Sequence, residues 1–175
     1  ALDWLITSGV DVVNLSLAGP PNRLLEKALD RAVERDVMVL AAAGNGGPAA
    51  DPMYPAAYAS VVAVTAVDTA GQVYRRANRG AYLDLAAPGV QVKHARAGGG
   101  YTASSGTSYA VPFAATAAAR LRQLQPGVDA LQALHHTAQD LGPPGRDEIY
   151  GYGLLRPAPE RTVSRHEAEQ GDARS

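Results

Sequence analysis

The clearest structural pattern in the sequence lies in residues 10–45, VDVVNLSLAGPPNRLLEKALDRAVERDVMVLAAAGN. Its two ends, residues 10–17 and 36–44, are short apolar runs rich in β-branched side chains, as buried parallel strands are. Between them, apolar residues recur at helical spacing behind Asn22, which is a typical N-cap. These apolar positions are Leu25, Ala28, Leu29, Ala32 and Val33. The stretch therefore predicts a strand, a helix and a second strand.

Further along the chain, residues 60–67 and 82–89 also read as strands, and residues 127–141 as a helix. Residues 46–59 contain three prolines and are predicted to form an irregular loop. Strands with helices between them predict an α/β fold with a mostly parallel sheet. In such sheets ligands bind at the carboxyl ends of the strands.

Composition limits the class of protein. The 175 residues suit one domain, and 16 basic against 17 acidic residues without a basic stripe argue against nucleic-acid binding. The absence of cysteine excludes disulfides and thiolate metal sites. No apolar run is long enough to span a bilayer, and the first residues lack the pattern of a signal peptide. Residues 160–175 are almost entirely polar and are expected to form a frayed tail.

The stretch SSGTSYAVPFAATAAARL, residues 104–121, places a serine at the start of a helix. Proline is tolerated in the first turn of a helix, so Pro112 predicts a helix that begins close to Thr107 or Ser108. A hydroxyl at that position is either a simple cap or a nucleophile placed where unpaired amides and the helix dipole stabilise negative charge.

Two predicted strands end in small and polar residues, SLAG (residues 16–19) and AAGN (residues 42–45). The side-chain amide of Asn45 is either an oxyanion donor or a turn residue. A dinucleotide site is a further alternative, because Gly44, Gly46, Ala49 and Asp68 fit its spacing. That site needs a helix at the glycines, and the prolines of residues 46–59 oppose one.

Several motifs together resemble one family. GTSYAVP (residues 106–112) resembles the serine motif of the subtilisin-like serine proteases, the subtilases or peptidase S8 family. VDVVNLSLAG is similar to their substrate-binding strand and VMVLAAAGN to the strand that ends in the oxyanion asparagine. YPAAYASVVAVTAVD and LDLAAPG are similar to the family's segments between these motifs, and YGYGLL is similar to its closing turn. The resemblance spans residues 2–157 and implies a partial subtilisin-like fold of three layers.

The resemblance implies roles for particular residues. Ser108 matches the nucleophile, Asn45 matches the oxyanion donor, and Pro112 matches the family's proline. The remaining matches concern substrate binding: Ser16, Leu17, Ala18 and Gly19 would pair with the substrate backbone, and Ala42, Ala43 and Gly44 would wall the pocket for the residue before the cleaved bond. Met53 falls at the pocket floor, where its bulk predicts a preference for small or medium residues.

Other positions depart from the family pattern. The family's order is Asp, His, Ser, and no histidine here stands in a family-like context for a base. The four histidines are His94, predicted in a loop, His135 and His136 on the late helix, and His166 in the tail. Phe113 stands where the family usually has histidine, and Tyr109 where methionine is common.

From these departures, we expect residues 1–159 to be the carboxyl-terminal part of a catalytic domain and to be inactive alone. The expected partners are a peptide substrate and the upstream part of the same domain. An exposed sheet edge would favour self-association. The alternative function is a non-catalytic, subtilase-like module that binds peptides or a partner protein.

Calcium often stabilises subtilases, but Asp51, Asp68 and Asp84 read as loop acids or caps rather than as a ligand cluster. The family is commonly exported, and the sequence gives no other indication of location.

Overall fold

The structure, a computed structural model, describes residues 1–156. The helices are α1 (Leu2–Thr7), α2 (Arg23–Glu34), α3 (Thr107–Leu124) and α4 (Ala130–Thr137). The strands are β1 (Val12–Leu15), β2 (Met38–Ala42), β3 (Val62–Val67), β4 (Leu83–Pro88), β5 (Val92–Ala95) and β6 (Tyr101–Ser104). The predicted tail, residues 160–175, lies outside the described residues.

The main sheet is parallel, with its four strands in the order β1-β2-β3-β4, and β5 and β6 form a separate antiparallel pair. The predicted strands, the helix after Asn22 and the irregular loop at residues 46–59 are confirmed. The Asn22 side chain accepts hydrogen bonds from the amides of Leu24 and Leu25, both at 3.0 Å. Two elements were not predicted: the helix α1 and the β5–β6 hairpin.

Helices cover both faces of the sheet, which gives the predicted three-layer α/β fold. On one face, Leu29 and Ala32 of α2 are buried with Val39. On the other face, Leu40, Val64 and Leu85 are buried with α3 and α4. The α3 side of that interface consists mostly of small residues: Ala110, Val111, Ala114, Ala118 and Leu121. Their small side chains let α3 lie close to the sheet, where it contacts β1, β2, β3 and β4.

The segment that follows α4 closes the outer edge of β4. The Ala86 amide donates to the Gly153 carbonyl at 2.9 Å, and the Leu155 amide donates to the Ala86 carbonyl at 2.7 Å. At the other edge, β1 has β2 as its only neighbour among the described strands. The sheet of the described residues therefore has one closed and one open edge.

The predicted start of α3, close to Thr107 or Ser108, is confirmed, but the prediction wrongly placed Pro112 in the first turn of the helix. The helix begins at Thr107, so Pro112 is its sixth residue and lies in the second turn. At this position the missing amide leaves a carbonyl inside the helix without its usual donor, and that carbonyl belongs to Ser108. The hydroxyl of Ser16, directly after β1, donates to it at 2.9 Å.

Candidate active site

The ends of β1 and β2 meet the start of α3, and hydrogen bonds join all three. The Ser16 hydroxyl donates to the Ser108 carbonyl at 2.9 Å, and the Ser108 hydroxyl donates to the Ser16 carbonyl at 3.4 Å. Ser108 is half-buried at this junction. Its amide lies in the first turn of α3, where helical amides have no partner within the helix.

Asn45 has a fixed side-chain orientation. Its Oδ1 atom accepts from the Thr107 amide at 3.0 Å and from the Thr107 hydroxyl at 3.1 Å. The same hydroxyl oxygen of Thr107 accepts from the Gly44 amide at 3.2 Å. Because Oδ1 is occupied on the helix side, the Nδ2 hydrogens remain as donors beside the first turn of α3. Two donors, Asn45 Nδ2 and the Ser108 amide, are thus available to a developing negative charge.

The loop after β2 forms the wall beside these donors. Gly19 and Tyr54 exchange backbone hydrogen bonds of 2.8 and 2.9 Å, which joins the stretch of residues 16–19 to the loop of Met53. A Cβ atom on Gly44 would lie 3.1 Å from Cγ of Met53, so the methionine side chain packs on the glycine backbone. Ala42 and Ala43 are buried behind it.

An apolar groove continues from this wall along the stretch of residues 16–19. Leu17 is 64% exposed there, and Ala18 is also exposed. The side chains of Leu5, Leu15 and Leu25 line the groove together with Tyr54. An extended peptide laid along residues 16–19 would meet apolar surface at this point.

Ser108 has no histidine as a hydrogen-bond partner among the described residues. His94 lies in β5, not in the predicted loop; its Nε2 atom is 2.8 Å from the Ser104 hydroxyl, and its ring stacks on Tyr109 at 5.2 Å. His136 bonds to the carbonyl of its own helix. His166 lies outside the described residues.

His135 belongs to a separate cluster at the end of α4. Its ring stacks on Tyr152 with centroids 3.8 Å apart. Burial, helped by the positive charges of Arg146 and His136 and opposed by Asp129, lowers the pKa of His135 below its ordinary value. Burial raises the pKa of the Tyr82 hydroxyl, which donates to the Ala43 carbonyl at 3.2 Å and therefore stays protonated at neutral pH.

Asp84 has a structural position in the sheet. The register of β3 against β4 shifts between Ala63 and Val64, and the Asp84 carboxylate accepts the Ala63 amide at 2.9 Å. It also pairs with Arg146 at 3.2 Å. Burial raises the pKa of Asp84, while the Ala63 hydrogen bond and Arg146 oppose that rise.

The structure does not support the dinucleotide alternative. Asp68 accepts the amides of Ala70 and Gln72 in a turn, and no helix begins at Gly44 or Gly46, as a dinucleotide site would require. Within residues 1–156, no three acidic or histidine side chains gather in a way that could hold a metal ion. Among the same residues, no helix is long and apolar enough to cross a membrane.

Three residues of the site were missed by sequence reasoning. Thr107 orients Asn45, and the fully buried Asn78 accepts the Gly46 amide at 2.7 Å and donates to the Asp51 carbonyl at 3.0 Å. Asn14 donates to the Ser16 hydroxyl at 3.2 Å. A polar side chain within the apolar run VDVVNLSL was the available signal for Asn14, whereas nothing near Asn78 in the sequence marks its role.

The fold and site define a class: an α/β protein with a serine hydroxyl at a helix start, beside a side-chain amide oriented to donate. The sequence matches the model of the Subtilase family over residues 1–153. The chain belongs to the subtilase family.

Sequence comparison with individual proteins also finds relatives named as subtilisins or proteases. Subtilisin BL of Lederbergia lenta is 39% identical over 155 residues, which are 88% of this chain and 57% of that protein. Minor extracellular protease Epr of Bacillus subtilis (strain 168) is 35% identical over 173 residues, 97% of this chain and 27% of Epr. The chain thus spans less than two thirds of these relatives.

Solved structures of proteases also superpose on this chain. Fervidolysin from Fervidobacterium pennivorans, described as a keratinolytic enzyme related to subtilisin, superposes with a TM-score of 0.79 at 28% identity, covering 89% of this chain and 27% of fervidolysin. A psychrophilic protease designated S41 gives a TM-score of 0.79 at 29% identity, covering 89% of this chain and 60% of its own.

Proposed function

We propose that this chain is the nucleophile-bearing part of a subtilisin-type serine endopeptidase. The observation that carries the proposal is the junction of Ser108 with Asn45: the hydroxyl stands at a helix start, and the Asn45 amide is oriented by two hydrogen bonds from Thr107. Both side chains also match the family motifs in kind and order.

In the proposed reaction, the Ser108 Oγ atom attacks the carbonyl carbon of a peptide bond while its proton passes to a base. Asn45 Nδ2 and the Ser108 amide donate to the oxyanion of the tetrahedral intermediate. The base then gives the proton to the leaving amine, and the acyl group remains on Ser108. A water molecule, deprotonated by the same base, then attacks the acyl carbon. The ester bond to Ser108 breaks, the acid leaves, and the base returns the proton to the Ser108 Oγ atom.

We propose that the base comes from residues outside this sequence. Among the described histidines, His94, His135 and His136 make their contacts elsewhere, and the chain spans 57% of Subtilisin BL. The Ser108 hydroxyl is not activated by any of these imidazoles. The chain alone is therefore inactive, and it needs the rest of its catalytic domain as a partner.

The substrate is a peptide whose backbone lies along residues 16–19. The residue before the cleaved bond enters the space between Ala42–Gly44 and Met53 in this proposal. Since the methionine packs against Gly44, the pocket is short and favours small or medium side chains.

The proposal is tested by a peptide-hydrolysis assay of a longer protein, in which this chain is joined to a segment that supplies the family's Asp and His. Together with Ser108 these residues make a complete triad. Ser108→Ala should remove three or more orders of magnitude from kcat, because the acyl-enzyme can no longer form. Ser105→Ala is the matched control, since that hydroxyl accepts the Gln91 amide at 2.9 Å and has no role in the reaction. Peptide binding without hydrolysis in the unmodified protein would overturn the proposal in favour of a non-catalytic binding module.

A further inference from the structure

Pro112 leaves a gap in the hydrogen bonding of α3 at the candidate nucleophile. An α-helical carbonyl normally accepts the amide four residues later, and for Ser108 that residue is Pro112, which has no amide hydrogen. The Ser16 hydroxyl takes the place of that amide at 2.9 Å. A side chain from the segment that follows β1 therefore supplies the hydrogen bond that the helix itself cannot make at Ser108.

Asn14 sets the direction of the Ser16 hydroxyl. Asn14 lies in β1 and Ser16 directly follows its last residue, Leu15, and the two side chains lie within hydrogen-bond distance of each other. Asn14 Nδ2 lies 3.2 Å from Ser16 Oγ, and Asn14 Oδ1 lies 3.5 Å from the same atom. The Ser108 carbonyl, at 2.9 Å, is the nearer acceptor for the Ser16 hydroxyl hydrogen, so Asn14 acts on this hydroxyl mainly as a donor. The three groups form a directed chain from amide to hydroxyl to carbonyl, in which each bond polarises the next.

We propose that Asn14 and Ser16 are positioning residues that hold the nucleophile through its own carbonyl. The inference rests on the proposed function, because it concerns how Ser108 is held for attack. On the β2 side, Asn45 fixes the Thr107 amide; on the β1 side, Ser16 fixes the carbonyl of the next residue, Ser108. Anchors on successive residues fix the separation of the Ser108 hydroxyl from the Asn45 donor, which catalysis requires within a fraction of an ångström.

Three single substitutions in the protein with a complete triad test this chain of hydrogen bonds. Ser16→Ala should lower kcat about 3- to 10-fold, the factor expected for one lost hydrogen bond. The KM should change less than about 2-fold, because the backbone of residue 16 that meets the substrate is unchanged. Ser16→Thr keeps the hydroxyl and should restore kcat. Ser8→Ala, which removes a distant hydroxyl-to-carbonyl bond at the end of α1, is the matched control and should change neither constant.

Asn14→Ala provides a second, independent comparison. It should lower kcat by a smaller factor than Ser16→Ala, because the hydroxyl remains but loses its fixed direction. In the Ser16→Ala background it should add almost nothing, since the two residues act on Ser108 through one hydroxyl. Full additivity of the two effects would overturn the proposed chain, as would a Ser16→Ala variant with normal kcat or a Ser16→Thr variant that is not rescued.

Amide hydrogen exchange on the 175-residue chain separates this inference from the proposed function. Ser16→Ala should speed exchange at Tyr109, Ala110 and Val111, and Ser16→Thr should leave it at the unmodified rate, whether or not the protein hydrolyses peptides. If no peptide is hydrolysed by the unmodified protein but exchange responds in this way, the proposed function fails while the anchoring of Ser108 stands. Exchange that is identical in Ser16→Ala and the unmodified chain would overturn the anchoring itself.

Discussion

At Asn45, the two atoms of one side-chain amide face different neighbours. Oδ1 accepts from Thr107 twice, and this fixes Nδ2 as the outward donor. The turn interpretation of Asn45 needs neither contact. Under the proposed function, this orientation keeps Nδ2 available as a donor to the oxyanion.

Replacing Asn45 separates its role as an acceptor for Thr107 from its role as a donor. Asn45→Asp keeps an acceptor for Thr107 but replaces the donor by an oxygen, and kcat should fall about 100- to 1,000-fold, as for other lost oxyanion donors. Steady-state kinetics of the complete protease measure this, and an unchanged unfolding midpoint serves as the control for folding. A kcat within 10-fold of the unmodified value would contradict the role of Asn45.

Met53 is predicted to limit the length of the pocket for the residue before the cleaved bond. Met53→Gly should lengthen the pocket, so that the ratio of kcat/KM for a phenylalanine before the cleaved bond to that for an alanine rises about 10-fold or more. Matched peptides that differ only at this residue measure the ratio. Rapid cleavage after phenylalanine by the unmodified protein would contradict the short pocket.

At the scale of elements, the sequence predicted those whose apolar pattern is strong. The four parallel strands and α2 carry continuous or helical apolar periodicity, and all were found. The β5–β6 hairpin has an alternating, largely exposed pattern instead, and its turn uses Gly98, Gly99 and Gly100 at positive φ. The three glycines of AGGGY were the signal for that turn.

The bonds between elements were less accessible to sequence reasoning. The pairing of Ser16 with Ser108 joins positions 92 residues apart, and that of Thr107 with Asn45 joins positions 62 apart. Motif identity predicted which residues belong to the site, whereas the orientation of each side chain depends on packing that no local pattern records. Pro112 illustrates this: its presence predicted the helix start, but the sequence did not show that Ser16 donates to the carbonyl that the proline leaves without a helical donor.

The stacking of His135 on Tyr152 joins α4 to the segment that closes the sheet. Because the folded chain binds the His135 proton more weakly than the unfolded chain, protonation favours unfolding. The free energy of unfolding should therefore fall as the pH drops through and below the ordinary histidine value of 6.5. Urea titrations at pH 7.5 and 5.5 measure the difference. His135→Phe keeps an aromatic stack and should lose this component; an equal pH dependence in both proteins would contradict it.

At the scale of the whole molecule, the described sheet has one edge closed by residues 152–155 and one edge open at β1. The relatives extend well beyond the part that this chain matches. We expect the remaining part of the domain to cover the open edge and to bring the base to Ser108.

The isolated chain should consequently self-associate through β1, because an open strand edge offers unpaired amides and carbonyls. Light scattering over a concentration series should show a rising mean mass. Leu24→Lys replaces a leucine that is 79% exposed on α2 rather than on β1, and it should leave the association unchanged. A monodisperse monomer at every concentration would contradict this expectation.

Covalent labelling with a serine-reactive probe identifies the nucleophile. The protein with a complete triad is incubated with a fluorophosphonate, and its intact mass is measured beside the Ser108→Ala variant and the 175-residue chain alone. We expect a single adduct on the complete protein, none on Ser108→Ala and none on the isolated chain. An adduct on the Ser108→Ala variant would contradict Ser108 as the nucleophile. The absence of an adduct from the complete protein would contradict it as well.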